Sequence, residues 1–247
     1  MSSHAFDLGG ARLEARASGA LFWADQGLLV VSDLHFGKAQ RLARRGGALL
    51  PPYETQATLA RLEAELQATG AAQVICLGDS FDDLTAASEL AEAERDSLLR
   101  LMDGRDWLWI EGNHDPAPTS LGGQHRAEIT LAGLTFRHMA ETGGTGAEIS
   151  GHYHPKARLA GRAAPCFLLN PAAGRLILPA FGTYTGGLAC DAAALVPLMQ
   201  APGALAILTG RTARAIPYSA ALYSAARGSA SPVPGASTRP RATSRSR

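Results

Sequence analysis

Five short polar segments hold the side chains of this sequence that are best suited to chemistry. In chain order they are Asp33-Leu34-His35, Gly78-Asp79, Gly112-Asn113-His114-Asp115, His138 and Gly151-His152-Tyr153-His154. Imidazole nitrogens and carboxylate or amide oxygens are ligands for divalent metal ions. Each segment alone is a weak signal, because Asp-x-His is common after strands and Gly-Asp often forms a turn. Their joint occurrence predicts a metal site.

Three apolar runs lead directly into the first three of these segments. The runs cover residues 27–31, 73–77 and 107–110. Each has the length and composition of a buried β-strand. Within an extended segment, residues i and i+2 face the same side. We therefore expect Asp33 with His35, and His152 with His154, to present two donors each to one site.

Helical patterns lie between these predicted strands. The segment 54–69 places leucines on one face and meets Gly70, a typical helix end. A second helix is predicted from Thr85 through Leu90 to Gly104. The alternation of strand, helix and strand predicts βαβ units, whose functional residues gather beyond the carboxyl ends of parallel strands.

The remainder of the chain is predicted to be rich in β-strands. An opening hairpin is expected from Phe6–Arg16 and 20–25, and short apolar runs separated by glycine-rich turns fill the second half. Residues 191–200 are predicted as a late helix. We expect one domain over residues 1–224, followed by a basic, Ser/Pro/Arg-rich and disordered tail over residues 225–247.

Composition excludes several other classes of protein. No stretch approaches the roughly 18 uninterrupted apolar residues that span a bilayer, so a cytoplasmic protein without membrane contact is expected. Cys76, Cys166 and Cys190 form no Cys-x-x-Cys pair and are predicted to be buried hydrophobic residues. Residues 1–191 carry 16 basic and 22 acidic residues, whereas the rest has arginines and no acidic residue. This asymmetry is compatible with metal-binding carboxylates and phosphate-binding arginines.

Taken in order, the five segments resemble the motifs of the calcineurin-like metallophosphoesterases. The resemblance spans Asp33 to His154. It implies an α/β fold, a four-layer αββα sandwich of two mixed β-sheets flanked by helices, that binds two divalent metal ions. Asp33, His35, Asp79 and His154 would hold one ion, and Asp79, Asn113, His138 and His152 would hold the other. His125 is an alternative to His138, but the strand-like run before His138 favours the latter.

The resemblance also implies catalytic roles for the third segment. Two cations about 3.5–4 Å apart can bridge a water molecule, lower its pKa and clamp phosphoryl oxygens during in-line attack. His114 would stay off the metals and protonate the departing alkoxide as a general acid, with Asp115 orienting its ring.

Longer runs resemble one bacterial branch, the ligase-associated DNA-repair metallophosphoesterases. The runs are residues 33–39, 151–156, 178–182 and 185–187. The resemblance covers most of residues 6–218 and implies a manganese-dependent endonuclease of single-stranded DNA, in a pathway shared with a DNA ligase, a nuclease and a helicase. Iron, zinc or nickel also suit the ligand set. Asp82 stands where many relatives would have a histidine, which affects contacts near the leaving group.

Several other side chains are candidates for contacts with DNA. Lys38, Arg41 and Lys156 follow metal motifs and are predicted to bind the phosphate backbone, with a solvated surface as the alternative for the first two. Four aromatic rings could stack on unpaired bases, although core packing is the default for each. They belong to Phe36, Tyr153, Phe181 and Tyr184.

Two other functions compete with a DNA endonuclease. The same metal pair could serve a phosphoesterase that acts on a small or lipid-linked nucleotide, since fold does not dictate substrate. A non-catalytic scaffold of the same fold is a third hypothesis, although such a protein should show eroded ligands. This sequence keeps every predicted ligand and the predicted acid.

Overall fold

Two mixed β-sheets face each other in the computed structural model of this chain. The structure describes residues 2–44, 46, 51, 53–83, 85–116, 121–141, 143, 146–159 and 162–219. The predicted disordered tail, residues 225–247, lies outside the described residues. Within the described ranges, no helix is long and apolar enough to span a bilayer.

The first sheet has seven strands in sequence order. They are β1 (Ser3–Leu8), β2 (Ala11–Arg16), β3 (Leu21–Trp23), β4 (Leu28–Val31), β5 (Gln73–Leu77), β6 (Asp106–Ile110) and β7 (Gln124–Arg126). Strands β1 to β4 pair antiparallel, and β4 to β7 pair parallel. The three strands predicted before the first polar segments are therefore confirmed as neighbours with a common direction.

The second sheet contains eight strands, drawn from the second half of the chain. They are β8 (Glu128–Leu131), β9 (Leu134–Arg137), β10 (Ala147–Ser150), β11 (Lys156–Leu159), β12 (Arg162–Asn170), β13 (Arg175–Ile177), β14 (Leu205–Leu208) and β15 (Arg214–Pro217). Their order is β15-β14-β12-β13-β10-β9-β8, with β11 paired to β12. Strand β10 pairs parallel with both β9 and β13, and the other pairs are antiparallel.

Four α-helices connect the strands of the first sheet. They are α1 (Lys38–Arg44), α2 (Glu54–Thr69), α3 (Ala86–Glu89) and α4 (Glu92–Met102). Helix α2 matches the prediction, because Gly70 adopts a left-handed conformation with φ of 63° and donates its N–H to Leu66. The sandwich of two mixed sheets flanked by helices is confirmed.

Three predicted elements are wrong in detail. The strand Phe6–Arg16 is divided into β1 and β2 by Gly9 and Gly10, whose positive φ angles form a tight turn. The helix from Thr85 breaks at Leu90, which is extended with ψ of 136°. The late helix over residues 191–200 is only a 3-10 turn, Val196–Met199, because Pro197 has no N–H to donate.

Apolar side chains fill three layers. One cluster lies between the sheets and joins residues such as Leu13, Ile110 and Phe167. A second packs the helices on the first sheet, and a third lies on the outer face of the second sheet with Leu198 and Tyr218. The three cysteines are free and buried, as predicted. The packing fixes the strand ends, where the polar segments begin.

Candidate metal centre

All five polar segments follow the carboxyl ends of parallel strands. The first three segments follow β4, β5 and β6 of the first sheet. His138 follows β9, and the last segment follows β10 of the second sheet. Because the sheets face each other, their strand ends bring the five segments to one edge of the sandwich. The prediction that these segments meet is confirmed.

The backbone at this edge is strained in a repeated way. Asp33, His35, Asp79, His152 and His154 all have φ between 46° and 70°, in the left-handed region that non-glycine residues rarely occupy. The prediction that these residues lie in extended segments is wrong, because the strands end before the ligands. Each left-handed residue turns the chain sharply, and such strain is typical of functional sites.

Asp33, His35 and His154 form a first group of ligands. Their ligand atoms lie within 4.8 Å of one another. Asp33 Oδ1 is 3.0 Å from His154 Nε2, and Asp33 Oδ2 accepts the N–H of His152 at 3.0 Å. Burial acts to raise the pKa of Asp33, but the contact with His154 outweighs it and lowers the pKa. Asp33 is therefore held as an anion inside the protein.

Asp79, His138 and His152 form a second group within the same limit of 4.8 Å. His138 Nε2 lies 3.0 Å from Asn113 Oδ1, 3.1 Å from His152 Nδ1 and 3.5 Å from Asp79 Oδ2. The other ring nitrogen of His138 lies 2.9 Å from the carbonyl oxygen of Leu77. A carbonyl oxygen only accepts, so Nδ1 carries the hydrogen and Nε2 is left for a metal ion.

The two groups contain six of the seven ligands that the resemblance implied, and the roles of these residues as metal ligands stay predictions. His138, rather than His125, lies in the centre, and Asn113 lies beside the second group. His152 and His154 belong to different groups, which contradicts the expectation that they serve one site. Asp79 lies in the second group, and its sharing by two ions stays a prediction.

The donor atoms fit divalent cations. His35 Nε2 is buried without a hydrogen-bond partner among the described residues, and it lies beside the contacting pair Asp33 Oδ1 and His154 Nε2. Leaving a buried polar group unsatisfied costs about 1–3 kcal/mol. A cation at this point would be coordinated by all three atoms, and mixed nitrogen and oxygen ligands suit first-row transition metals. These groups can hold metal ions.

Electrostatics of the second group couple metal binding to proton release. Burial acts to lower the pKa of His138, but the contact with Asp79 and the charge of Asp33 raise the pKa to about 9. Burial also works against ionisation of Asp79, yet the contact with His138 lowers its pKa. In the metal-free protein the stabilisation by protonated His138 is complete below about pH 6.5 and is lost as the pH rises through 9.

Manganese binding at pH 7.5 should therefore release about one proton from His138, and the apparent affinity should rise with pH towards 9. Calorimetry in buffers of different ionisation enthalpy measures this proton. His125→Ala is the control, since His125 lies outside both groups, and it should release the same proton as the parent chain. Binding without proton release would contradict the charge assigned to His138.

His114 lies beside both groups but joins neither. Its backbone N–H donates to Asp79 Oδ1 at 2.8 Å, and its ring lies edge-on to His35 with centroids 5.2 Å apart. Ring nitrogen Nδ1 is 2.9 Å from the carbonyl oxygen of Asp82. Nδ1 therefore carries a hydrogen, and Nε2 is the nitrogen that can exchange a proton with a substrate.

Asp115 does not orient the His114 ring, so that prediction is wrong. Its Oδ2 accepts the backbone N–H groups of Ser80 at 2.7 Å and Phe81 at 3.1 Å. Burial raises the pKa of Asp115 to about 6. Asp115 instead fixes the turn that carries Asp79, while the backbone of Asp82 holds the ring of His114.

This chain is similar to a solved structure from Pseudomonas putida, the nuclease MPE. The two proteins are 30% identical with a TM-score of 0.70, and the match covers 87% of this chain and 100% of the other. This chain belongs to the same family as that nuclease. No family model and no curated protein matches the sequence. Membership of the nuclease family agrees with the two-sheet fold.

Glycines of the nuclease-family chain allow its loops to approach the ligands. A Cβ atom on Gly112 would collide with the backbone and carboxylate of Asp79. A Cβ atom on Gly151 would overlap the hydroxyl of Ser32 and come within 2.6 Å of Asp33 Oδ2. Any side chain at these positions would displace a ligand, which explains the glycine in each motif.

Asp82 makes contacts that sequence reasoning missed in this member of the nuclease family. Its buried carboxylate lies 2.9 Å from His35 Nδ1 and contacts Arg41 Nε through the other oxygen. Burial would raise the pKa of Asp82, but contacts with His35 and Arg41 lower it to about 2. His35, Asp82 and His114 form a third group that could hold a metal ion. Because Arg41 already neutralises the Asp82 carboxylate, we infer that Asp82 is not a metal ligand. It instead orients the His35 ring through Nδ1, so that Nε2 faces the metal site.

Asp82→Asn should weaken manganese binding by about 10- to 100-fold, because partners behind a ligating histidine set its orientation and basicity. Titration of manganese into the apoprotein, followed by electron paramagnetic resonance, measures the change. The matched control is Asp83→Asn, since Asp83 pairs with exposed Arg44 outside the ligand groups. Equal affinity in Asp82→Asn and Asp83→Asn would show that Asp82 does not support His35.

The predicted phosphate contacts are constrained by internal partners. Arg41 binds Asp82, and Lys156 Nζ donates to the carbonyl oxygen of Thr185 at 3.1 Å. Lys38 begins α1 and is half-buried. Contacts of these three residues with DNA stay predictions.

The four aromatic candidates separate by exposure. Phe36 and Phe181 are buried, which excludes them from stacking on bases. Tyr153 is half-buried, and Tyr184 is 50% exposed.

Proposed function

We propose that this chain is a metal-dependent nuclease that cuts single-stranded DNA internally with two bound metal ions. The observation that carries the proposal is the pair of ligand groups at one edge, with His114 beside both and its ring a member of neither. The similar structure from Pseudomonas putida is that of a nuclease, which supports nucleic acid as the substrate class. The sequence resemblance adds the single-stranded preference.

Two bound divalent ions would supply an activated water and neutralise the charge on the phosphoryl oxygens. Asp33, His35, Asp79 and His154 would hold one of them, and Asp79, Asn113, His138 and His152 would hold the other. The chain prepares these ligands in advance. Leu77 and Asp82 fix the rings of His138 and His35, and left-handed turns aim the carboxylates at the same edge. Such preorganisation avoids reordering during the reaction.

His114 would act on the leaving group. Its Nδ1–H is held by the carbonyl of Asp82, so protonated His114 presents Nε2–H to the substrate. Transfer of that proton to the departing sugar oxygen removes the difficulty of expelling a free alkoxide. Asp115 contributes indirectly by holding the turn that carries Asp79.

The proposal includes manganese as the native metal and a role in DNA repair beside a DNA ligase, a nuclease and a helicase in the cytoplasm. These details rest on the sequence resemblance. Manganese accepts the nitrogen and oxygen ligands present at both groups.

The function is tested by incubating the full chain with a circular single-stranded DNA and manganese. We expect linear and shorter products, and no cleavage when the metal is chelated. A covalently closed duplex and a cyclic nucleotide are the comparison substrates. If the cyclic nucleotide is hydrolysed and the circular DNA stays intact, the chain is a small-nucleotide phosphoesterase and the proposed nuclease function is wrong.

A further inference from the structure

The loop 182–188, whose ends contact the metal-ligand segments, carries an exposed aromatic ring. Tyr184 is 50% exposed and has a φ of 59°, in the left-handed region. A bulky residue is disfavoured in that conformation, and the strain persists only where the surrounding structure enforces it. Its hydroxyl has no hydrogen bond to any residue within the described ranges. Packing inside the protein therefore does not explain why a tyrosine occupies this position.

Both ends of the loop are joined to the backbone of metal-ligand segments. The N–H of Gly182 donates to the carbonyl oxygen of Asp33 at 3.1 Å. The N–H of Leu188 donates to the carbonyl oxygen of Tyr153, between the two histidines of the last motif, at 3.2 Å. A Cβ atom on Gly187 would collide with the backbone of His154. The loop is thus packed directly against both segments of the first ligand group.

The middle of the loop is fixed as well. The N–H of Thr183 donates to the hydroxyl of Thr58 on α2 at 3.0 Å. Lys156 Nζ donates to the carbonyl oxygen of Thr185 at 3.1 Å. Tyr184 stands between these two anchors, so the fold fixes the backbone that carries its ring relative to the ligands. Rigid presentation lowers the entropy lost when a ligand binds.

Positive charge accompanies the ring. Tyr184 borders a depression that Arg61 also lines. The Arg61 guanidinium lies over the ring of Phe181, 4.5 Å from its centroid, and donates to the carbonyl oxygen of Ser18 at 2.6 Å. Lys156 contacts the same loop at Thr185. An exposed ring on a loop that also contacts two cations suits a polymer that alternates flat bases with anionic phosphates.

We propose that Tyr184 stacks on an unpaired nucleobase next to the phosphodiester that is cut. This inference rests on the proposed nuclease function and names a residue that selects its substrate. Every base has a π-face, so stacking tolerates any sequence, whereas in a duplex the bases are already stacked and paired. Tyr184 therefore favours single strands without reading their sequence.

The test replaces the ring while keeping the backbone. Tyr184→Asn removes the ring, and asparagine tolerates the left-handed conformation. Tyr184→Phe keeps a ring. The control is Tyr53→Asn, since Tyr53 is a tyrosine that is 65% exposed at the start of α2. Binding of a fluorescent single-stranded oligonucleotide is measured by anisotropy in chelator, so that no strand is cut, and again with an oligonucleotide that carries a run of abasic sites.

We expect Tyr184→Asn to weaken binding of the normal strand by about 5- to 100-fold. Tyr184→Phe and Tyr53→Asn should bind within about twofold of the parent chain. On the abasic strand, the parent chain and Tyr184→Asn should bind equally, because the stacking partner is absent from both complexes.

Two results would overturn the inference alone. One is a parent chain that cuts single-stranded DNA while Tyr184→Asn binds it as tightly. The other is a loss in Tyr184→Asn that is as large on the abasic strand. A parent chain that neither binds nor cuts single-stranded DNA would instead overturn the proposed function.

Discussion

His114→Ala is expected to keep its metal ions and to lose single-stranded DNA cleavage by about 10²- to 10⁴-fold, the usual contribution of a general acid. His114 bonds to the Asp82 carbonyl and donates its backbone N–H to Asp79, and its side chain belongs to neither of the two main ligand groups. Removing the ring therefore removes the proton donor and leaves those ligands in place.

A substrate with a better leaving group distinguishes a general acid from a metal ligand at His114. Bis(p-nitrophenyl) phosphate releases a stable phenolate that needs little protonation, so His114→Ala should hydrolyse it far better than it cuts DNA. Asn113→Ala is the neighbouring control. Its amide oxygen lies 3.0 Å from His138 Nε2, so its loss should weaken metal binding and reduce hydrolysis of both substrates. Metal loss in His114→Ala would show that His114 is a metal ligand and that its role as general acid was misassigned.

Asp79→Ala is expected to have the other large effect, the loss of metal binding at the second group and of phosphodiester hydrolysis. Asp79 is buried at the end of β5 and contributes the carboxylate of the second group. Its removal also takes away the anion that raises the pKa of His138, so the second site loses one ligand and part of its charge. Titration calorimetry with manganese measures the loss.

Glu63→Ala serves as the control for Asp79→Ala, because it removes an α2 carboxylate that accepts a hydrogen bond from Gln67 and lies outside the metal-ligand groups of the described residues. It should bind manganese like the parent chain. The melting temperature of each apoprotein separates weaker binding from unfolding. Unchanged manganese affinity in Asp79→Ala would show that the Asp79 carboxylate is not a metal ligand.

The strand ends and the positions of most candidate ligands could be predicted because their signals are local. Apolar runs precede Asp33, Asp79 and Asn113, and parallel strands place those residues at one edge. His138 has no local motif, and it was predicted as a ligand only because a strand-like run, now β9, precedes it. What joins His138 to His152 is the parallel pairing of β9 and β10, which no single segment of sequence specifies.

The contacts around the ligands could not be predicted from the sequence. Asp82 reaches His35 and Arg41 across 47 and 41 residues of chain, as the numbering shows, and its role depends on burial. Asp115 was misassigned because adjacency to His114 suggested a contact, whereas a turn directs its carboxylate to Ser80 and Phe81. The left-handed conformation of the ligands likewise depends on tertiary contacts that override their local preference.

Counting metal ions while cleavage is followed tests the central claim most directly. Manganese is added stepwise to the apoprotein, and bound metal and cutting of circular single-stranded DNA are measured in the same samples. We predict that cleavage appears as the chain takes up two ions, and that Asp79→Ala takes up fewer than two ions and does not cut. Cleavage at full rate in chelator, or a chain that binds no divalent ion, would contradict a metal-dependent nuclease.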